Sequence, residues 1–227
     1  MTTAVAADVT APAGAPLFVD IVSDVVCPWC YVGKRKLEAA LDRLGAAPGT
    51  VTVRWHPFEL NPDLPPQGIP REAYLAAKFG GAAGADAIYD RVRAVGTQVG
   101  IAFAFERIRL QPNTLAAHRL IAWAQARADA DALVERLFRA YFIDGRSLGE
   151  VDELAALAAE AGLPSDEARA MLVSQAYRHE VEDECREARD AGVGGVPFFI
   201  FNGRTAVSGA HDPETLLEAI AAARGNA

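Results

Sequence analysis

Two cysteines three positions apart, in Cys27-Pro28-Trp29-Cys30, can close a small disulfide and reopen it, so the chemistry this spacing offers is thiol–disulfide exchange. Pro28 has no N–H to lose and a φ suited to the first helical turn, which predicts a helix with Cys27 at its N-cap and Pro28 at its first position. A sulfur there meets unpaired backbone N–H groups and the positive end of the helix dipole, and such sites lower a thiol from ~8.5 to roughly 3.5–7.5. Cys27 is therefore the expected nucleophile. Cys30, one turn further in, is the expected resolving thiol, able to attack a mixed disulfide on Cys27 and release the partner. No metal is expected: the third cysteine, Cys185, and the four histidines (His56, His118, His179, His211) supply no second ligand pair at zinc-site spacing. A permanent disulfide across so short a loop would remove little unfolded-chain entropy.

The elements that must position this pair can be read from pattern. Residues 17–23, Leu-Phe-Val-Asp-Ile-Val-Ser, are rich in β-branched and apolar types and predict a strand, and 34–44 predict a helix, so the cysteines fall where a strand hands over to a helix. Gly45 to Gly49 reads as a turn, and 50–55 alternate like a second strand continuing to about Leu60. Pro62, Pro65 and Pro66 then stop regular structure. From Pro70 to about Ala191 apolar residues recur mostly at helical spacing, as in Leu133, Leu137 and Tyr141, while 101–105 fits a strand or an extended loop equally well. Strand signals return at 196–201 and 204–208 around Asn202-Gly203, the dipeptide that supplies the positive φ values of a type I′ hairpin turn. Asp212-Pro213 opens a final helix. The order β-α-β, helical block, β-β-α predicts an α/β thioredoxin-like fold with a large helical insertion: a tail at 1–16, the thioredoxin-like domain at 17–61 and 192–227, and the insertion at 62–191.

A chain of 227 residues, 51% of them apolar, can bury a full core, and its net charge of −8 disfavours a phosphate-binding surface. No apolar run approaches the roughly 20 residues that cross a bilayer. Nucleic acid and membrane are thus not expected partners. Residues 1–16 hold no Lys or Arg and are broken by Pro12, Gly14 and Pro16, which is not a secretory signal pattern. They read as a flexible tail on a cytoplasmic protein, where a Cys27–Cys30 disulfide would be transient.

Cys27-Pro28-Trp29-Cys30-Tyr31-Val32-Gly33-Lys34-Arg35, Pro57-Phe58-Glu59-Leu60-Asn61-Pro62 and the glycine-rich run from Gly192 through Val196-Pro197 to Gly203 together resemble the DsbA family of thioredoxin-fold oxidoreductases, in particular its FrnE-like branch. The resemblance spans Phe18 to the last helix. It implies that Pro197 is cis and faces the cysteine pair, with the Val196 backbone available to hydrogen-bond an extended protein or peptide substrate. Without it, an edge-strand trans proline is the ordinary reading of Val196-Pro197. Two departures bear on direction of electron flow: Ile21 stands six residues before Cys27, where many relatives place a buried acid, and Pro-Trp replaces the Pro-His of DsbA itself.

Pro112-Asn113-Thr114 followed by His118 resembles a sister branch, the 2-hydroxychromene-2-carboxylate isomerases and kappa-class glutathione transferases. These bind glutathione against the same proline and typically have serine where this chain has Cys27. That makes glutathione with a small molecule the alternative partner set. Asn113 as a helix cap and His118 as a packed helical residue are the simpler readings. Asp24 is a candidate modulator of the thiols or a solvated strand-end residue. Lys34, Arg35 and Lys36 are candidate thiolate stabilisers or a solvated helix face. Trp29, Phe58 and Leu60 are candidate substrate-facing apolar groups, and Cys185 reads as a buried structural thiol.

Overall fold

The computed structural model describes residues 16–45 and 50–225. The expected tail, except Pro16, and the turn beyond Gly45 lie outside the described residues. A four-stranded sheet carries the order β2-β1-β5-β6, from β1 (Leu17–Ser23), β2 (Val51–Pro57), β5 (Phe198–Phe201) and β6 (Thr205–Ser208). β1 is parallel to β2, with Ser23 opposite Pro57, and antiparallel to β5, with Val22 opposite Phe198. Six of its seven residues are buried because it is central and covered on both faces, which is why its sequence is nearly unbroken apolar rather than alternating. This is the thioredoxin-like α/β arrangement expected from the element order.

β1 leads through a turn into α1 (Pro28–Leu44), and the hairpin β5–β6 leads into α9 (Pro213–Gly225), which packs on α1 and on the hairpin. Asn202 and Gly203 both take positive φ, 51° and 65°, as the hairpin turn requires. β2 stops at Pro57, short of the expected Leu60. The reason is local: the Leu60 N–H is taken by the Asp24 carboxylate at 2.8 Å instead of continuing the ladder on β1.

Between β2 and β5 lie α2 (Arg71–Phe79), α3 (Ala82–Gln98), α4 (Leu115–Gln125), α5 (Asp131–Arg139), α6 (Val151–Glu160), α7 (Ser165–Val173) and α8 (Arg178–Asp190). The reading of this segment as mostly helical missed one ladder: β3 (Ile69–Pro70) pairs antiparallel with β4 (Leu110–Gln111). Two-residue strands carry no periodic signal, and only the tertiary approach of their ends creates them. Residues 101–104 take no regular structure, and Phe105–Arg107 form a single 3₁₀ turn.

Three contacts fasten the helical block to the sheet and to α1. Gln125 on α4 exchanges two hydrogen bonds with the Trp55 backbone, at 2.6 and 2.8 Å, and so covers part of the free edge of β2. Tyr31 stacks on Phe138 at 5.0 Å and meets Phe103 edge-on at 6.1 Å, placing the residue after Cys30 inside an aromatic cluster. Lys34 is 3% exposed and pairs with Asp131 at 2.9 Å, with Glu135 at 3.5 Å and with Glu38. Neither reading of the Lys34-Arg35-Lys36 run therefore holds: Lys34 and Arg35 bind acids of α1 and α5, and Lys36 pairs with Asp212 at 2.6 Å. The acids responsible, Asp131, Glu135 and Asp212, are distant in sequence, which is why the local run looked solvated.

Candidate functional site

α1 begins as its sequence demands. Cys27 is the N-cap in extended conformation (φ −91°, ψ 112°) and Pro28 is the first helical residue. The turn before it is held by Cys27 N–H donating to the Asp24 carbonyl at 3.0 Å, and the first helical turn closes with Cys30 N–H on the Cys27 carbonyl at 3.0 Å. The Cys27 side chain makes no capping hydrogen bond to its own helix. Its thiol donates instead to the Val196 carbonyl at 3.5 Å, across the fold. The Val196–Pro197 peptide bond is cis, and Pro197 is buried immediately before β5. Gly33 lies beneath it: a Cβ at that position would stand 2.8 Å from Pro197 Cγ, so only a glycine lets α1 approach this closely. Thus Cys27, Cys30, Val196 and Pro197, drawn from both ends of the chain, meet at one place. Trp29 is half-buried between the cysteines.

Cys27 and Cys30 are both reduced and both mostly buried. Burial is the main cause that pushes the Cys30 thiol well above the ordinary cysteine range, reinforced by Cys27, while the Ser23 side chain and the Asp24 backbone pull the other way. A thiol held protonated in this way fits a group that reacts second.

Asp24 is fully buried, so the solvated strand-end reading fails. Its carboxylate accepts from Leu60 N–H at 2.8 Å and from Val26 N–H at 3.4 Å, and lies 3.5 Å from His118 Nε2. His118 is indeed packed, as helical spacing suggested, but packed onto this acid beside the redox turn. Asn113 acts as a cap, accepting from Leu115 N–H at 3.0 Å while its amide donates to the Leu64 carbonyl at 3.0 Å. Phe58 packs in a small apolar cluster with Val22 and Val193, with Leu60, Val196 and Phe198 around it. Cys185 is buried, and burial, with Glu59 next, pushes it up to about 12, so it is kept as an inert thiol. Ser23 beside Cys30, and Trp55 and His56 on β2, also lie in this neighbourhood. Nothing in their spacing singles them out. Among the described residues no His, Cys, Asp or Glu group is arranged to hold a metal ion, and no helix is long and apolar enough to cross a membrane.

A dithiol at a helix N-terminus, facing a cis-proline loop at the end of an antiparallel strand, defines a thioredoxin-fold redox class. Residues 18–221 match the model of the DSBA-like thioredoxin domain, and the chain belongs to that family. A solved Streptomyces coelicolor protein, described as a probable DsbA oxidoreductase, shares 37% identity, with 93% of this chain and 91% of that one aligned at a TM-score of 0.82. The cytosolic disulfide reductase DsbM of Pseudomonas aeruginosa, solved with glutathione, shares the fold at 20% identity and a TM-score of 0.61, over 92% of this chain and 96% of its own. YwbO of Bacillus subtilis, an uncharacterised protein, is 27% identical over 89% of this chain and 94% of its own length.

Proposed function

We propose that the protein is a cytoplasmic thiol–disulfide oxidoreductase of protein or peptide substrates, working through Cys27 and Cys30. The Cys27 thiolate attacks one sulfur of a substrate disulfide, forming a Cys27–substrate bond and expelling the other substrate sulfur as a thiolate. Cys30, as thiolate, then attacks Cys27 Sγ. The Cys27–Cys30 bond forms, the second substrate thiolate leaves, and two electrons have passed from enzyme to substrate. The same steps in reverse oxidise a dithiol. Before reaction the Val196 carbonyl receives the Cys27 thiol; in the mixed disulfide the same backbone would hydrogen-bond an extended substrate beside Pro197. Glutathione fits as the small thiol that recycles the pair.

The observation that carries this reading is the Cys27 thiol set at a helix N-cap against Val196, with Cys30 one turn behind it. Replacing Cys27 with Ser is expected to abolish reduction of insulin disulfides, and Cys30→Ser to accumulate a mixed disulfide visible by mass spectrometry. A glutathione-dependent isomerase or transferase needs no thiol at position 27. Full activity in the Cys27→Ser variant, with saturable glutathione binding, would replace this reading with that one.

A further inference from the structure

A cavity of about 230 Å³ opens at the end of β1, walled by Ser23 from β1, Trp55 from β2 and His118 from α4, with His56, Glu180 and Glu184 also on its lining. It is roomy enough for several waters. Three side chains on its wall are at least nine-tenths buried: Trp55 Nε1 and His118 Nε2 make no hydrogen bond within the protein, although His118 Nε2 lies 3.5 Å from Asp24, and Ser23 Oγ meets only the Cys30 thiol. Buried polar atoms are nearly always satisfied by protein or ordered water, and these atoms around one cavity mark a place built to hold water. Ser23 also touches Cys30 and so links the cavity to the resolving thiol.

We propose that this cavity is the proton path of Cys30: as Cys30 attacks Cys27 Sγ, its S–H proton passes by Ser23 and cavity water to His118 Nε2, and leaves toward solvent past His56 and Glu184. The inference rests on the dithiol reading above. Protons and electrons balance. The Cys30 S–H bond breaks, a bond forms from sulfur to Cys27 Sγ, the substrate leaves as a thiolate, and His118 holds the proton until solvent takes it. His118 is the acceptor rather than Asp24 because both Asp24 oxygens already accept backbone N–H bonds, whereas His118 Nε2, though 3.5 Å from Asp24, makes no hydrogen bond within the protein. The charged groups that face His118 are mostly acidic. Asp24 lies 3.5 Å away, Glu59 interacts from the segment after β2, and Glu180 and Glu184 line the same cavity from α8; His56, also lining it, is the one group of like charge. Arg119, the next residue on α4, points its guanidinium to the carbonyls of Met171, Leu172, Ser174 and Ala176. Cys30 is only 2% exposed, so its proton gains from a relay rather than from direct contact with bulk water.

The test separates the two half-reactions by stopped flow. Formation of the Cys27 mixed disulfide is followed in a Cys30→Ser background, and its resolution by Cys30 in the otherwise intact chain. General-base relays contribute about 10²–10⁴-fold, so His118→Gln is expected to slow resolution at least 100-fold and to erase an inflexion of the resolution rate in the imidazole range. Formation should change by less than about threefold. Resolution at the wild-type rate with an unchanged pH profile overturns the proposal. A second measurement needs no variant: the ¹⁵N resonances of His118 should titrate differently in the dithiol and disulfide forms, and identical titration curves overturn it as well. If the wild-type chain forms no mixed disulfide at Cys27, the dithiol reading itself fails; if it forms one that His118→Gln resolves normally, only the proton path fails.

Discussion

Lys34→Met tests whether the helix that carries the cysteines is anchored by one buried cation. Methionine keeps the length and apolar stem, so the loss is mainly of charge. The Lys34 ammonium is 3% exposed and meets Asp131 at 2.9 Å, Glu135 at 3.5 Å and Glu38. Burial alone would lower its pKa, yet Asp131 and Glu38 hold it above the ordinary lysine value. In the variant, Arg35 still neutralises Glu38 and Glu135, but Asp131 has no other basic partner among the described residues. Removing one member of a fully buried pair costs about 3–5 kcal/mol. Because the carboxylates are 22–38% exposed, water recovers part of that cost, and we expect about 2–3 kcal/mol. For a chain of this size the loss lowers Tm by roughly 5–10 °C. Urea unfolding and calorimetry at pH 7 measure it, and Lys34→Met combined with Asp131→Asn should recover about 1 kcal/mol by removing the stranded carboxylate. A single-variant loss under about 0.5 kcal/mol, or strict additivity in the double variant, would refute the anchoring argument. Cys27 alkylation should proceed at the wild-type rate in Lys34→Met, since the ammonium is committed to α5 and not to the thiolate.

Gly33→Ala drives a methyl group to within 2.8 Å of Pro197 Cγ and 3.1 Å of Phe199 Cζ; overpacking of this kind costs about 1–3 kcal/mol, and insulin reduction should fall more than the stability loss accounts for because Val196 is displaced from Cys27. Activity within twofold of wild type would show that the loop position is not critical. His56 has its pKa raised by Glu184 first and by Asp20, against burial; protonated His56 is favoured in the folded state, so its contribution is full below about pH 6.5 and is lost as pH rises through the higher folded value. The Tm difference between wild type and His56→Gln should accordingly shrink from pH 5.5 to pH 8.5, and a difference that grows would contradict the assignment. Cys185, held up at about 12, should resist iodoacetamide at pH 8 in the native protein and react only on unfolding, as peptide mass mapping would reveal.

Local chemistry determines much of this protein independently of the rest of the fold. Cys27 at an N-cap followed by Pro28 starts α1 wherever the rest of the chain goes, because φ at proline and the unpaired first-turn N–H groups are properties of adjacent residues. The Asn202-Gly203 hairpin and the apolar run of β1 are local in the same sense. Tertiary structure decided everything that depends on partners far along the chain. Asp24 becomes a buried acid only because Leu60 N–H and His118 arrive beside it, 36 and 94 positions later, and Lys34 becomes a buried cation only because α5 brings Asp131 to it. The juxtaposition of Cys27 with Val196, across 169 positions, follows from β5 pairing antiparallel with β1, a register set by hydrogen bonds and burial over the whole sheet. Residue type specifies what each group can do; the burial and partners that set when it does it come from the packed fold.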